Sequence, residues 1–384
     1  MTAHDDLLSW RAEFPALETS VYMVSHSLGA MPRRAADDLA EFARLWVERG
    51  INAWSEWLPE VERAAERIGR IIGAPTGTVM MATNVSTVQA VVASCLDYRP
   101  ERPKVVYTEL NFPSVSYVWK AEERRGAEVH VVPSDDGMTV DTARILEAID
   151  ERTLIVPISH VIFRSAAIQD VAAIVRRAHE VGAMVLLDCY QSTGVVPFSV
   201  ETLGVDFACG GSVKWLCGGP GAAYLYVRRD RIPEFAPRVT GWFGHRAPFA
   251  FTMPEQQYAD NVWRYAGGTP AISALYQARA GAEIVAQIGV ERIRKKSQRQ
   301  TERVIAAVDA AGYTLRSPRA PSQRGGSVCF DFPGSERVAA ALNKGNFLCD
   351  HRPGAGIRMA PHFYNTDEEC DRFMAEVERL RKAL

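Results

Sequence analysis

The chain has 384 residues, enough for two domains sharing an interface. Hydrophobic residues make up 47% and charged residues 23%, and the formal net charge of −2 gives no electrostatic reason for a nucleic-acid or acidic-membrane partner. Seven scattered cysteines without a CxxC pair argue against a disulfide framework or zinc ribbon and fit a reducing cytoplasm.

The N-terminus, MTAHDDLLSWRAEF, has acidic residues where a signal peptide needs a positive region. No stretch approaches the apolar length of a membrane span, so a soluble cytoplasmic protein is expected. Residues 1–60, rich in tryptophan and arginine (ARLWVERGINAWSEWLPE), read as an arm and helices outside the sheet. From about 75 to 230, short β-branched runs alternate with helix-like segments. Strands are expected at Lys104–Tyr107, Glu128–Val132, Leu154–Ile158, Met184–Asp188, Val205–Cys209 and Ala223–Val227. Ile168–Gly182 puts Val171, Ile174, Val175, Ala178 and Val181 on one helical face and ends in glycine. This alternation implies an α/β domain over residues 61–270 with a mostly parallel sheet, its ligands beyond the carboxyl ends of the strands. One long helical stretch, Ile272–Ala311, then leads to a smaller C-terminal α+β unit, residues 271–384, with the strand SVCFDF and a final amphipathic helix. The basic run Glu291–Arg303 reads as a solvated helix face.

Asp188 ends the apolar strand MVLLD and faces the ligand crevice of a parallel sheet; it serves equally as a turn or capping aspartate. Lys214, in FACGGSVKWLCGGPG, follows the next strand, so the two side chains converge on one crevice. Pyridoxal 5'-phosphate needs this pair: an amine to hold its aldehyde and an acid to keep its pyridine nitrogen protonated. Upstream, TNVST opens the helix-like VQAVVASCL, and hydroxyls and free N–H groups at a helix start form an anion site, though many helices begin with Ser or Thr. Phe112, in LNFPSVSY, can stack on a ring or pack in the core. No HExxH or other metal-ligand spacing occurs around His351, His362 and Cys349, and no metal is expected. Arg358, in HRPGAGIRMAP, is a charge in a tight Gly/Pro-flanked strand, suited to gripping a carboxylate.

Taken together, VYMVSHSLGAMP, NFPS, SHVIFRS, DCYQSTG, SVKWLCGGPG, TGWFGH, RYAGGT and HRPGAGIRMAPHFYNT resemble the class V branch of fold-type I pyridoxal phosphate enzymes, and within it the kynureninases. The resemblance runs nearly end to end. It implies a homodimer with active sites at the subunit interface, acting on a small amino-acid substrate. It puts the cofactor on Lys214, Asp188 at its ring nitrogen, Phe112 on its ring, and Val85, Ser86, Thr87 and Ser212 around it. Trp242 and Thr269 reach the phosphate from the neighbouring subunit, and Arg358 holds the substrate α-carboxylate. Three positions depart from the pattern. Val213 stands where kynureninases place a phosphate-contacting tyrosine. Gln191 replaces a histidine and still hydrogen-bonds the cofactor's phenolic oxygen. SHSLG replaces GNSLG, placing His26 in the substrate-recognition arm as a substitute proton donor, its imidazole titrating near neutrality, or as a turn cap beside Ser25 and Ser27. Kynurenine cleavage itself does not follow. The expected activity is kynureninase-like C–C hydrolysis or related β-side-chain lyase chemistry. Class V transamination, epimerisation, cysteine desulfuration and a retired cofactor-binding protein are the alternatives.

Overall fold

The structure, a computed structural model, describes residues 5–251 and 255–383; Met1–His4 of the acidic N-terminal stretch lie outside it. Its first strand, β1 (Val21–Tyr22), stands apart from the main sheet. That sheet has seven strands: β2 (Val79–Ala82), β3 (Lys104–Thr108), β4 (Glu128–Val132), β5 (Thr153–Ser159), β6 (Met184–Asp188), β7 (Phe207–Gly211) and β8 (Ala223–Val227). Their order is β2-β8-β7-β6-β5-β3-β4. All neighbours from β7 to β4 are parallel, and only β8 runs antiparallel, to both β2 and β7. The strand expected from Val205 begins two residues later. Asp206 leaves the ladder because its carboxylate accepts the Val185 N–H at 2.8 Å.

Both sheet faces are covered, which is why MVLLD is apolar throughout. Val185 and Leu187 enter one core cluster with Ile174, Val175 and Ile284, while Met184 and Leu186 enter a second with Val92, Trp119 and Phe243. On the helix Val171–Glu180, capped by Asp170 through the Ala173 N–H, Val171, Ile174, Val175 and Ala178 are buried as their spacing requires.

The single helix expected from Ile272 to Ala311 is two helices, Ile272–Ile288 and Val290–Ala310. Gly289 between them adopts φ 86° and ψ 131°, which side-chain-bearing residues rarely take. The basic run on the second helix is only in part the solvated face expected: Glu291, Arg292, Lys295, Arg299, Glu302 and Arg303 are exposed. Arg294 and Lys296 are buried and donate to the carbonyls of Gly325, Pro321, Arg324 and Phe363, while Arg299 and Arg303 pair with Asp367 and Asp371 of the helix Asp367–Ala383. The run therefore seams the C-terminal unit together.

That unit contains β9 (Thr314–Leu315), β10 (Val328–Asp331), β11 (Phe347–Leu348), β12 (Asp350–Arg352) and β13 (Gly356–Met359), four of them in an antiparallel sheet ordered β12-β13-β10-β9. The fifth, β11, pairs in parallel with β1, Val21 opposite Phe347. The N-terminal arm thus adds a strand to the C-terminal unit, where Val21 and Met23 join the core of Val308, Phe330 and Ile357. No described helix is long and apolar enough to cross a membrane.

Candidate active site

Asp188, the last residue of β6, is 5% exposed. Its carboxylate accepts one hydrogen bond, from Tyr190 N at 3.0 Å, and has no ion pair among the described residues. Burial raises its pKa; the Tyr190 N–H and the Lys214 charge pull the other way. A carboxylate kept from water with one hydrogen bond calls for a further donor or cation.

Lys214 lies in the loop after β7. The loop closes on itself: Ser212 N donates to Ala222 O (2.9 Å), Gly218 N to Ser212 O (2.8 Å), Cys217 N to Lys214 O (3.0 Å) and the Ser212 hydroxyl to Gly219 O (3.1 Å). Two glycines let neighbouring segments clamp it. A Cβ on Gly29 of the N-terminal arm would fall 2.2 Å from Lys214 O, and one on Gly281 of the helix Ile272–Ile288 would fall 2.1 Å from Leu216 O. The lysine amine makes no hydrogen bond to the described residues. Burial lowers its pKa to about 8, with Arg358 assisting and Asp188 opposing. A substantial neutral fraction near pH 8 makes it nucleophilic, as covalent capture of an aldehyde requires.

Beyond β2, the helix Val85–Ser94 presents its first turn. Asn84 caps it, accepting from Thr87 N at 2.9 Å and from the Thr87 hydroxyl at 3.1 Å, which leaves the N–H groups of Val85 and Ser86 at the helix's positive end. Phe112, beyond β3, is 39% exposed and meets Phe163 edge-on at 5.3 Å. Gln191 is held from both sides: it donates to His26 O at 3.1 Å and accepts from the Trp215 indole at 3.3 Å.

On β13, Arg358 is 3% exposed and already paired. Its Nε and Nη2 reach Asp350 Oδ1 and Oδ2 at 2.8 and 2.5 Å, and Nη1 donates to Phe163 O at 2.6 Å. His26 Nε2 lies 3.0 Å from the same Asp350 Oδ1, leaving His26 Nδ1 buried without a partner among the described residues. Burial would raise the Asp350 carboxyl, but His26 and Arg358 hold it well below the usual carboxylate range. Burial, then the Arg358 charge, push the His26 imidazole down to about 4. His26 is therefore a neutral hydrogen-bonding group at physiological pH, not the near-neutral titrating acid expected from its arm motif.

The strand ends thus bring Lys214, Asp188, Phe112 and Gln191 to one end of the sheet, with His26 and Arg358 facing them from the arm and the C-terminal unit. Trp242, at the start of the short 3-10 helix Trp242–Gly244, and Thr269, in a loop, are exposed, Trp242 stacked on Phe251 at 5.8 Å. Thr269 lines a cleft of about 160 Å³ with Thr83 and Thr87. Sequence reasoning missed Asp350 and Tyr190. Asp350 lies directly across the hairpin from Arg358, a pairing encoded in DHRPGAGIR by the Pro-Gly turn between them.

The residues fit pyridoxal phosphate: an unpaired buried amine, an under-satisfied buried carboxylate, an open aromatic face and a helix start for an anion. The family model for aminotransferase class-V matches residues 31–373. The chain is 31% identical over 368 residues to the uncharacterized aminotransferase YcbU of Bacillus subtilis, covering 96% of each. It is 29% identical over 396 residues to a kynureninase of Bacillus anthracis, covering 99% of this chain and 92% of the other. In fold it is similar to the cystine C–S lyase C-DES in a form with glycine covalently linked to its PLP cofactor, with TM-score 0.87, 20% identity and coverage of 96% and 98%. The chain belongs to the class-V aminotransferase family of pyridoxal 5'-phosphate enzymes.

Proposed function

We propose that the protein cleaves the side chain of a free α-amino acid at its β-carbon, by kynureninase-like C–C hydrolysis or a related β-lyase reaction, on a substrate other than kynurenine. The observation that carries this reading is the convergence of Lys214 and Asp188, both buried and neither ion-paired among the described residues, with the Arg358–Asp350–His26 cluster opposite. Pyridoxal phosphate, when bound, supplies an aldehyde for an amine and a ring that stores the electron pair released at the α-carbon. Lys214 would hold it and would accept the substrate's α-proton on Nζ; a pKa near 8 suits both tasks. Asp188 would keep its ring nitrogen protonated, Phe112 would pack against its ring and the start of the helix Val85–Ser94 would take its phosphate. Arg358 is the cation for the α-carboxylate. Val213 and Gln191, in place of titrating groups, favour a native substrate other than kynurenine.

Desulfuration through the protein's own thiolate is disfavoured. All seven cysteines are buried or half-buried, and burial pushes every thiol up, Cys95 and Cys349 to about 12. We also propose a homodimer, in which the exposed Trp242 and Thr269 serve the partner's phosphate site. The test is to incubate cofactor-loaded protein with kynurenine, 3-hydroxykynurenine and amino acids bearing β-leaving groups, and to identify products. Alanine or pyruvate is expected. A keto acid with aminated cofactor would move the reading to transamination, and an inert, cofactor-loaded protein would make it a retired binder.

A further inference from the structure

Lys214 Nζ lies 5.5 Å from the ring centroid of Phe112 and 5.3 Å from that of Tyr190. The amine therefore lies within cation–π reach of both rings. A planar ring joined to this nitrogen through one carbon would have both aromatic side chains as neighbours.

The position of Tyr190 is built into the sheet. A Cβ on Gly211, the last residue of β7, would fall 2.4 Å from the Tyr190 hydroxyl and 2.6 Å from Cζ, so only glycine lets the phenol lie against the strand end. At its backbone, Tyr190 N donates to Asp188 Oδ1. At its far end, the hydroxyl faces the backbone N–H of Val85, in the first turn of the helix Val85–Ser94. One residue thus runs between the two ends of the crevice, from Asp188 to the neighbourhood of the helix start. Burial pushes the phenol well above the ordinary tyrosine range, so it remains a proton donor across the working range. Val213, by contrast, brings no hydroxyl to this crevice.

We propose that Tyr190 is a cofactor-binding residue of this protein, its ring a neighbour of the cofactor ring together with Phe112 and its hydroxyl a donor to the cofactor's phosphate. The proposal rests on the cofactor assignment, and the experiment separates the two. Dissociation constants for pyridoxal phosphate and for pyridoxal, which lacks the phosphate, are measured on wild type and Tyr190→Phe by the change in protein fluorescence. A lost hydrogen bond to a charged group should weaken pyridoxal phosphate about 10-fold or more and leave pyridoxal within about 2-fold. Gly211→Ala, which pushes the phenol aside, should reproduce that selectivity in a chain that keeps Tyr190. Equal losses for both aldehydes, or no loss for either, would overturn the proposal. A wild type that forms no borohydride-stable adduct with either aldehyde would instead remove the cofactor assignment, and the proposal with it.

Discussion

Lys214 and Asp188 were legible because each stands at the end of an apolar run, and a parallel sheet delivers strand ends to one place. Asp350 was not, because its meaning depends on a cross-strand register that one strand does not display: it lies opposite Arg358 on the β12–β13 hairpin. The lowered Lys214 pKa predicts that the rate of adduct formation with pyridoxal phosphate rises through a midpoint near pH 8, well below an ordinary lysine. Lys214→Ala should abolish the borohydride-trapped adduct without unfolding the protein. A rate that climbs only above pH 10 would show that the amine is solvated. The ion pair predicts a coupling. Arg358→Ala strands a buried anion at Asp350 and should cost about 3–5 kcal/mol of stability, whereas adding Asp350→Asn should recover much of it. Denaturant unfolding of the two singles and the double reads this directly, and additive losses would mean that the pair is uncoupled. With the fold intact, Arg358→Ala should weaken amino acids far more than the corresponding amines.

At the scale of elements, strands and helices between 75 and 230 followed their periodicity. The errors arose where one residue overrode a pattern. Gly289 split a helix whose apolar spacing continues across it, and Asp206 withdrew two residues from β7 by taking the Val185 N–H. The short arm strand β1 was invisible because two residues have no period to read, and its partner lies in the last quarter of the chain. The arm also sets a prediction. Gly29 N donates to Val213 O at 2.9 Å, and a Cβ there would collide with Lys214 O. Gly29→Ala should therefore push the arm off the lysine loop, loosening the contact between Gln191 and His26 O. A loss of about 1–3 kcal/mol is expected for such overpacking, together with weaker pyridoxal phosphate binding. Thermal melting and cofactor titration measure both, and unchanged values would mean that the arm yields freely.

For the whole molecule, composition and alternation were enough to give a two-faced, mostly parallel sheet, but not the antiparallel turn-back of β8, since direction leaves no trace in an apolar run. The assembled interior carries a pH consequence. Burial pushes His26 and His160 down to about 4 and His362 to about 3. Because the folded pKa lies below the unfolded value near 6.5, stability is level above that pH and is lost as pH falls toward 4. With three protons taken up on unfolding, the slope is roughly 4 kcal/mol per pH unit near pH 5. Denaturant unfolding at several pH values should show this, and His160→Leu should reduce the slope by about a third. A flat profile from pH 7 to 4.5 would contradict the buried, neutral histidines.

The pairing of Val21 with Phe347 also constrains the order in which a newly synthesised chain matures. While the ribosome is still extending the chain, β1 has no strand to join, and the segment from Ser25 to Gly29 lacks the anchor that holds it over the lysine loop. Asp350 and Arg358 emerge later still. The sheet and its lysine are made early, but the side of the crevice formed by Asp350 and Arg358 is finished only when the last tenth of the chain has left the exit tunnel. A chain truncated before Phe347 is therefore expected to hold the lysine crevice open at one side, and the first residues of the protein are among the last to reach their place.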